Sequence, residues 1–136
     1  MINAYSRVWF ELFLETRPYT EEEVAFVIRH LPPPRYRKVL DLCCGEGRHT
    51  NALANKGYEM VGVDLDAEAL AIAARRSAGA TMYLKQDMRD LEQVPGQFDG
   101  IISLWQSFGY FDGVTNCDIM QQICRKLSPR GRFILD

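Results

Sequence analysis

The stretch "VLDLCCGEGRHT", Val39 to Thr50, constrains this chain more than any other part of it. An apolar run enters a turn that holds two glycines and leaves it with helix-forming residues. A strand that turns at glycine and continues as helix is the opening of a βα unit. Its next strand then lies parallel to the first, because the helix has carried the chain back to the starting edge.

The pattern recurs. "KVLDLC" is an expected first strand, followed by the helix "RHTNALANK" up to Gly57. "EMVGVDL" is a second strand, and Asp66 is placed to cap the helix "AEALAIAARRSA". "TMYLKQD" gives a third strand, followed by a short polar segment from Met88 to Gln93. "FDGIISLW" gives a fourth, and a helix from about Thr115 to Leu127 leads through the turn "SPRG" to a fifth strand, "RFILD". Strands alternating with helices call for an α/β fold: an open, mostly parallel sheet with helices on both faces.

Upstream of this pattern, Ile2, Tyr5, Val8, Trp9, Leu12 and Phe13 recur at helical spacing, which predicts one amphipathic helix over residues 2–15. A second helix is marked by Thr20 as its cap, by Glu23 at the third helical position, and by Pro32-Pro33-Pro34 as its stop. Residues 1–37 therefore read as an N-terminal helical segment and residues 38–136 as the sheet domain.

Bulk properties exclude several classes. A hydrophobic content of 47% with 25% charged residues belongs to a folded chain, not a disordered one. The net charge of -2 argues against a nucleic-acid partner, which would need clustered Lys and Arg. No apolar run reaches membrane-spanning length, and Glu11 and Glu15 fall where a signal peptide would be apolar, so the expectation is a cytoplasmic protein. The cysteines Cys43, Cys44, Cys117 and Cys124 have neither zinc nor thioredoxin spacing. Cys117 and Cys124 would be about 10 Å apart on a helix, too far for a disulfide. Buried free thiols and no metal site are expected.

In open parallel sheets ligands sit beyond the carboxyl ends of the strands, where strand order reverses. Gly45 and Gly47, with no side chains, would let ligand atoms come close to the backbone there. Asp64, seventeen residues beyond Gly47, ends the second strand and could accept hydrogen bonds from both hydroxyls of a ribose. Asp87 ends the third strand and is followed by Met88. An acid near an adenine amino group with a thioether against the ring makes chemical sense. These parts suit an adenosine ligand. A dinucleotide fingerprint would need a third glycine where Thr50 stands. Glu46 and Asp41 would also repel a pyrophosphate, whereas Asp41 would suit a ligand carrying an ammonium and a sulfonium.

As a set these segments resemble the class I S-adenosylmethionine-dependent methyltransferases. "VLDLCCGEG" looks like their first motif, "VGVDLD" the second, "QDM" the third, "FDGIISLWQSFGYF" the fourth and "LSPRGRFILD" the entry to strand five. "SFGYF" before Asp112 looks most like the branch acting on small molecules. The resemblance implies a Rossmann-like sheet of order 3-2-1-4-5 and S-adenosylmethionine as cofactor. It places Asp41, Gly45 and Gly47 beside the methionine part, Asp64 at the ribose, and Asp87 and Met88 at the adenine, with Cys43 and Leu65 also among the cofactor-binding residues. Trp105, Gln106 and Ser107 would line the cofactor near the transferring methyl, and Tyr110, Phe111 and Asp112 are candidates for substrate contact. Cys43 stands where the pattern has its first glycine, a substitution that fits on condition that its φ stays negative. His49 is expected to pack or to touch the cofactor edge rather than to act as a base.

Methyl transfer of this kind is a direct displacement in which positioning supplies most of the rate, so no catalytic triad is expected and no catalytic residue is assigned. After the fourth strand the chain reads "SLWQ", unlike the Asn or Asp followed by two prolines and an aromatic of base-modifying enzymes. A small-molecule acceptor is therefore expected. The chain ends after its fifth strand where the resembling family has two more. That ending leaves as an alternative a cofactor-binding fragment or module without independent activity; a further alternative, an NAD-dependent oxidoreductase, is weighed down by the missing third glycine. The same ending also leads to an expectation of self-association through the exposed fifth strand.

Overall fold

The computed structural model describes residues 19–136; the helix expected over residues 2–15 lies outside the described residues. The elements are α1 (Thr20–His30), β1 (Lys38–Leu42), α2 (Arg48–Ala54), β2 (Glu59–Asp64), α3 (Ala67–Arg75), β3 (Thr81–Lys85), a 3-10 segment (Met88–Gln93), β4 (Phe98–Ser103), α4 (Gly113–Lys126) and β5 (Leu127–Leu135). They build one five-stranded sheet of order β3-β2-β1-β4-β5 in which every pairing is parallel. The class and strand order are those expected. Strand order reverses beside β1, which places the turn after β1 at the switch point.

The central strand buries Val39, Leu40 and Leu42 because both of its faces are covered, and its one acid, Asp41, is buried with them. Leu40 and Leu42 join Val61, Val63, Phe98 and Ile101 beneath the 3-10 segment and α4, with Leu91, Ile119 and Ile123 completing that layer. Val39 points the other way, into a cluster with Val24, Val27 and Leu31 of the α1 region, Leu53 of α2, and Tyr58, Met60 and Ile102. The α1 end is fitted closely. A Cβ on Gly100 of β4 would lie 2.6 Å from the Leu31 side chain, so the glycine makes the room that Leu31 fills. Tyr58 is buried, and its hydroxyl donates to the Leu31 carbonyl at 2.7 Å.

Local signals were followed at some element ends and overridden at others. Asp66 caps α3 as expected, accepting from the Glu68 and Ala69 amides. Thr20 does not cap α1. It is the first helical residue, Tyr19 holds the cap position without a side-chain bond, and the Thr20 hydroxyl accepts from Arg48 instead. Helix α4 begins at Gly113, ahead of the expected Thr115, because Asp112 caps it through the Thr115 amide at 2.9 Å. The "SPRG" turn lies inside β5, not before it. The ladder passes from Phe98–Leu127 directly to Gly100–Arg132, and Arg130 has a φ of 64°.

The expectation of buried thiols fails for two of the four cysteines. Cys117 and Cys124 are exposed, while Cys43 and Cys44 are half-buried, and all four are free. Helix α4 buries Ile119, Gln122, Ile123 and Lys126. At 100° per residue, positions 117 and 124 fall on the opposite side. On the buried side, the Gln122 amide accepts from Leu91 N and donates to Arg89 O, which locks the 3-10 segment onto α4.

Candidate functional site

The chain leaves β1 through alternating left-handed residues: Cys43 with φ 59°, Gly45 with φ 53° and Gly47 with φ 73°. The condition of negative φ at Cys43 is not met. The residue adopts the conformation a glycine would take there, at a cost of roughly 1–3 kcal/mol. Its thiol packs 3.7 Å from the Met88 sulfur and 3.9 Å from the Ser107 carbonyl. Burial first, then the charges of Asp64, Asp41 and Asp87, push that thiol up to about 12, and burial pushes Cys44 up as well. Neither is a ready thiolate nucleophile.

Asp64 at the end of β2 is clamped by backbone. Gly45 N donates to Oδ2 at 2.8 Å and Asp66 N donates to Oδ1 at 2.9 Å. Each oxygen keeps acceptor capacity, so the carboxylate is fixed in place yet can still receive two hydroxyls. The next residue, Leu65, is 57% exposed and offers an apolar surface beside it. Gly47 serves a different purpose from the expected ligand access. A Cβ there would lie 2.4 Å from the Tyr83 hydroxyl and 2.7 Å from Ala73, so its open side faces protein. Tyr83 in turn donates to Asn51 Oδ1 at 2.7 Å, and Asn51 donates to Ala73 O at 3.1 Å.

Asp41 lies within the turn's support. It is 3% exposed and accepts from the Thr50 hydroxyl at 2.5 Å. Burial raises its carboxyl to about 7, with the Thr50 bond opposing and the Asp64 charge adding to the rise. Asp87, at the end of β3, accepts from Arg89 N at 2.9 Å. Its two oxygens also receive the Arg89 guanidinium, with Nη2 2.5 Å from Oδ2. The Arg89 bonds hold Asp87 below the usual carboxylate range. The guanidinium carbon is 4.9 Å from the centre of the Phe111 ring, linking the β3 end to the segment after β4. Met88 is buried beneath.

Beyond β4, Trp105 and Gln106 both have positive φ, 65° and 56°. Ser107 Oγ donates to Leu104 O at 3.0 Å, and the Tyr110 hydroxyl donates to Gln106 O. Asp112 is engaged as the α4 cap, accepting from both the amide and the hydroxyl of Thr115. The residue that sequence reasoning missed is Glu23 of α1. Its Oε1 receives the Trp105 indole N–H at 2.5 Å, and its Oε2 bonds Arg48 at 2.5 Å and His49 Nε2 at 2.8 Å. Burial alone would raise the Glu23 carboxyl, but the bonds from His49, Trp105 and Arg48 outweigh it and the carboxyl is lowered. The distal imidazole nitrogen of buried His49 is thus turned to α1, in keeping with the expected packing role.

The arginines around the strand ends are committed. Arg48 pairs with Glu23, Arg76 with Glu46 at 2.7 Å, and Arg89 with Asp87. A pyrophosphate would meet guanidinium groups already engaged by carboxylates, whereas a ligand rich in hydroxyls can use the acceptor capacity left on Asp64.

A parallel sheet of order 3-2-1-4-5 with a glycine turn and carboxylates at its strand ends defines a Rossmann-like domain of the nucleoside-binding kind. Residues 39–131 match the family model described as "Methyltransferase domain". The chain belongs to that family, the class I S-adenosylmethionine-dependent methyltransferases. It is 34% identical over 108 residues to YqeM of Bacillus subtilis (strain 168), a protein named as a methyltransferase, covering 76% of this chain and 43% of that one. It is 30% identical over 113 residues to the dTDP-3-amino-3,6-dideoxy-alpha-D-glucopyranose N,N-dimethyltransferase of Streptomyces fradiae, covering 82% of this chain and 43% of that one. CalS10, an amino pentose methyltransferase from Micromonospora echinaspora whose structure holds S-adenosylmethionine, superposes with a TM-score of 0.82. At 22% identity, over 99% of this chain and 58% of CalS10, that likeness bears on the fold. The chain spans less than half the length of the two curated relatives.

Proposed function

We propose that this chain binds S-adenosylmethionine across the ends of β1 to β4 and serves the methylation of a small molecule. The observation that carries the reading is Asp64, whose carboxylate is fixed by two backbone amides with acceptor capacity left for a ribose diol. When bound, the cofactor supplies a methyl group on a sulfonium, which a nucleophile displaces directly. The chain's own residues have the task of holding and shielding. Asp64 and Leu65 orient the ribose, and Met88 with Asp87 frames the adenine. The turn from Cys43 to Gly47 borders the methionine part over its buried support, Asp41. Trp105, Gln106 and Ser107 border the methyl, while Tyr110 and Phe111 face the acceptor side.

A small-molecule acceptor is favoured by three things: the "SLWQ" segment, the net charge of -2, and the amino-sugar substrate in the name of the Streptomyces fradiae relative. Neither a nucleic acid nor a membrane is part of the reading. Among the described residues no helix is long and apolar enough to cross a membrane, and the cytoplasm is the proposed location. Self-association through β5 belongs to the same reading, and sedimentation at several concentrations tests it. The comparisons give no support to the oxidoreductase alternative. Calorimetric titration with S-adenosylhomocysteine and with NAD tests the main reading. Binding of the first and not the second is expected, and comparable tight binding of NAD would overturn it.

A further inference from the structure

Glu23 is the meeting point of three parts of the chain. One oxygen of its carboxylate holds Arg48 and His49, at the start of α2, and the other holds the indole of Trp105, beyond β4. Arg48 closes the arrangement. Its guanidinium also donates to Thr20 of α1 at 2.8 Å, and its central carbon stands 4.7 Å from the centre of the Trp105 ring. Helix α1 does not need this carboxylate for its own cap, since the cap residue Tyr19 makes no side-chain bond and Glu21 and Glu22 already supply acid to the first turn. The segment after β4 does need an external hold. Trp105 and Gln106 are consecutive residues in a left-handed conformation, which a chain keeps only where contacts over-determine it.

We propose that Glu23 is a positioning residue of the cofactor site, setting the Trp105 ring against Arg48 and so fixing the Trp105–Ser107 segment in the conformation that receives the ligand. The proposal rests on the S-adenosylmethionine reading above. Glutamine in its place would keep the size and could still accept from the indole. It would also lose the charge that pairs with Arg48 and turn an amide N–H₂ toward a cation or a ring N–H. With one oxygen where there were two, either the indole or Arg48 loses its acceptor, and the Trp105 ring is no longer held against Arg48, without a cavity opening behind it.

The test uses a Trp9→Phe background, in which Trp105 is the sole tryptophan. The readouts are titration with S-adenosylhomocysteine, the emission of Trp105, and the urea unfolding midpoint. Glu23→Gln is expected to weaken binding about tenfold or more and to shift Trp105 emission to the red in the free protein, with unfolding still cooperative. Glu22→Gln, one position away and exposed, is expected to leave both unchanged. Glu23→Asp, which draws the carboxylate back by one methylene, is expected to fall between the parent and Glu23→Gln. It decides alone if Glu23→Gln does not fold: parent-like affinity and emission in it would overturn the proposal. Parent-like affinity and emission in a folded Glu23→Gln would overturn it too, leaving the cofactor reading intact. If the parent fails to bind S-adenosylhomocysteine, the cofactor reading falls and the proposal with it.

Discussion

Gly47 and Tyr83 occupy the same space as far as any larger residue is concerned: a Cβ at position 47 would stand 2.4 Å from the Tyr83 hydroxyl. The hydroxyl is held there by its bond to Asn51. Gly47 also has a φ of 73°, so the turn needs glycine for conformation and for packing at once.

Gly47→Ala is therefore expected to destabilise the fold by roughly 2–4 kcal/mol, combining left-handed strain with overpacking. Gly113→Ala is the control. Position 113 is helical and a Cβ there meets nothing within 4 Å, so that variant should be neutral or slightly stabilising. Urea unfolding of the two variants checks both signs, and equal losses would refute the packing account.

Asp64→Ala is expected to weaken S-adenosylhomocysteine binding by roughly 1.5–3 kcal/mol, the range for hydrogen bonds to a charged group. It also strips the acceptor from the Gly45 and Asp66 amides, so some loss of order in the turn should accompany it. Calorimetry on this variant beside Cys44→Ala separates the two ideas. Parent-like binding in Asp64→Ala together with lost binding in Cys44→Ala would mean that the thiols, not the carboxylate, hold the ligand.

Asp41 gives a pH dependence with a definite sign. Its carboxyl is raised from 3.8 to about 7 in the fold, so between those values the native state binds more protons than the unfolded one. Stability contributed by this group is therefore present in acid and lost as pH rises toward 7, by an amount on the order of a few kcal/mol. Asp41→Asn keeps an acceptor for Thr50 and has no proton to lose. Its stability relative to the parent should be greater at pH 8 than at pH 4.5. An unchanged difference in unfolding free energy between those two pH values would count against a raised Asp41. Glu23, Asp87 and Asp112 are lowered, so their contributions are lost only on the acid side, as pH falls through their lowered values.

The cysteines should divide in two by reactivity. Cys117 and Cys124 are exposed on α4, while burial pushes up the thiols of Cys43 and Cys44. Iodoacetamide at pH 8 should label the first pair well before the second, as followed by peptide mass spectrometry. Early labelling of Cys43 would indicate a turn more open than the one described.

Sequence by itself determined what is local or repetitive. The alternation of apolar strands with helices set the parallel sheet, the glycine turn marked the passage from β1 to α2, and Asp66 announced the start of α3, because each depends on residues a few positions apart. Tertiary structure decided what each side chain at the site was for. Glu23 carried the signature of a capping residue, yet its carboxylate went to Trp105, 82 positions away, and to Arg48 and His49. Asp87 looked like a free acid until Arg89 folded back on it, and Gly47 looked open until Tyr83 filled the space beside it. Hydrogen bonds and close packing between segments brought together only by the sheet leave no periodic trace in the chain. The strand order that brings α1, the turn after β1 and the end of β4 to one place decides which partner each polar group finds.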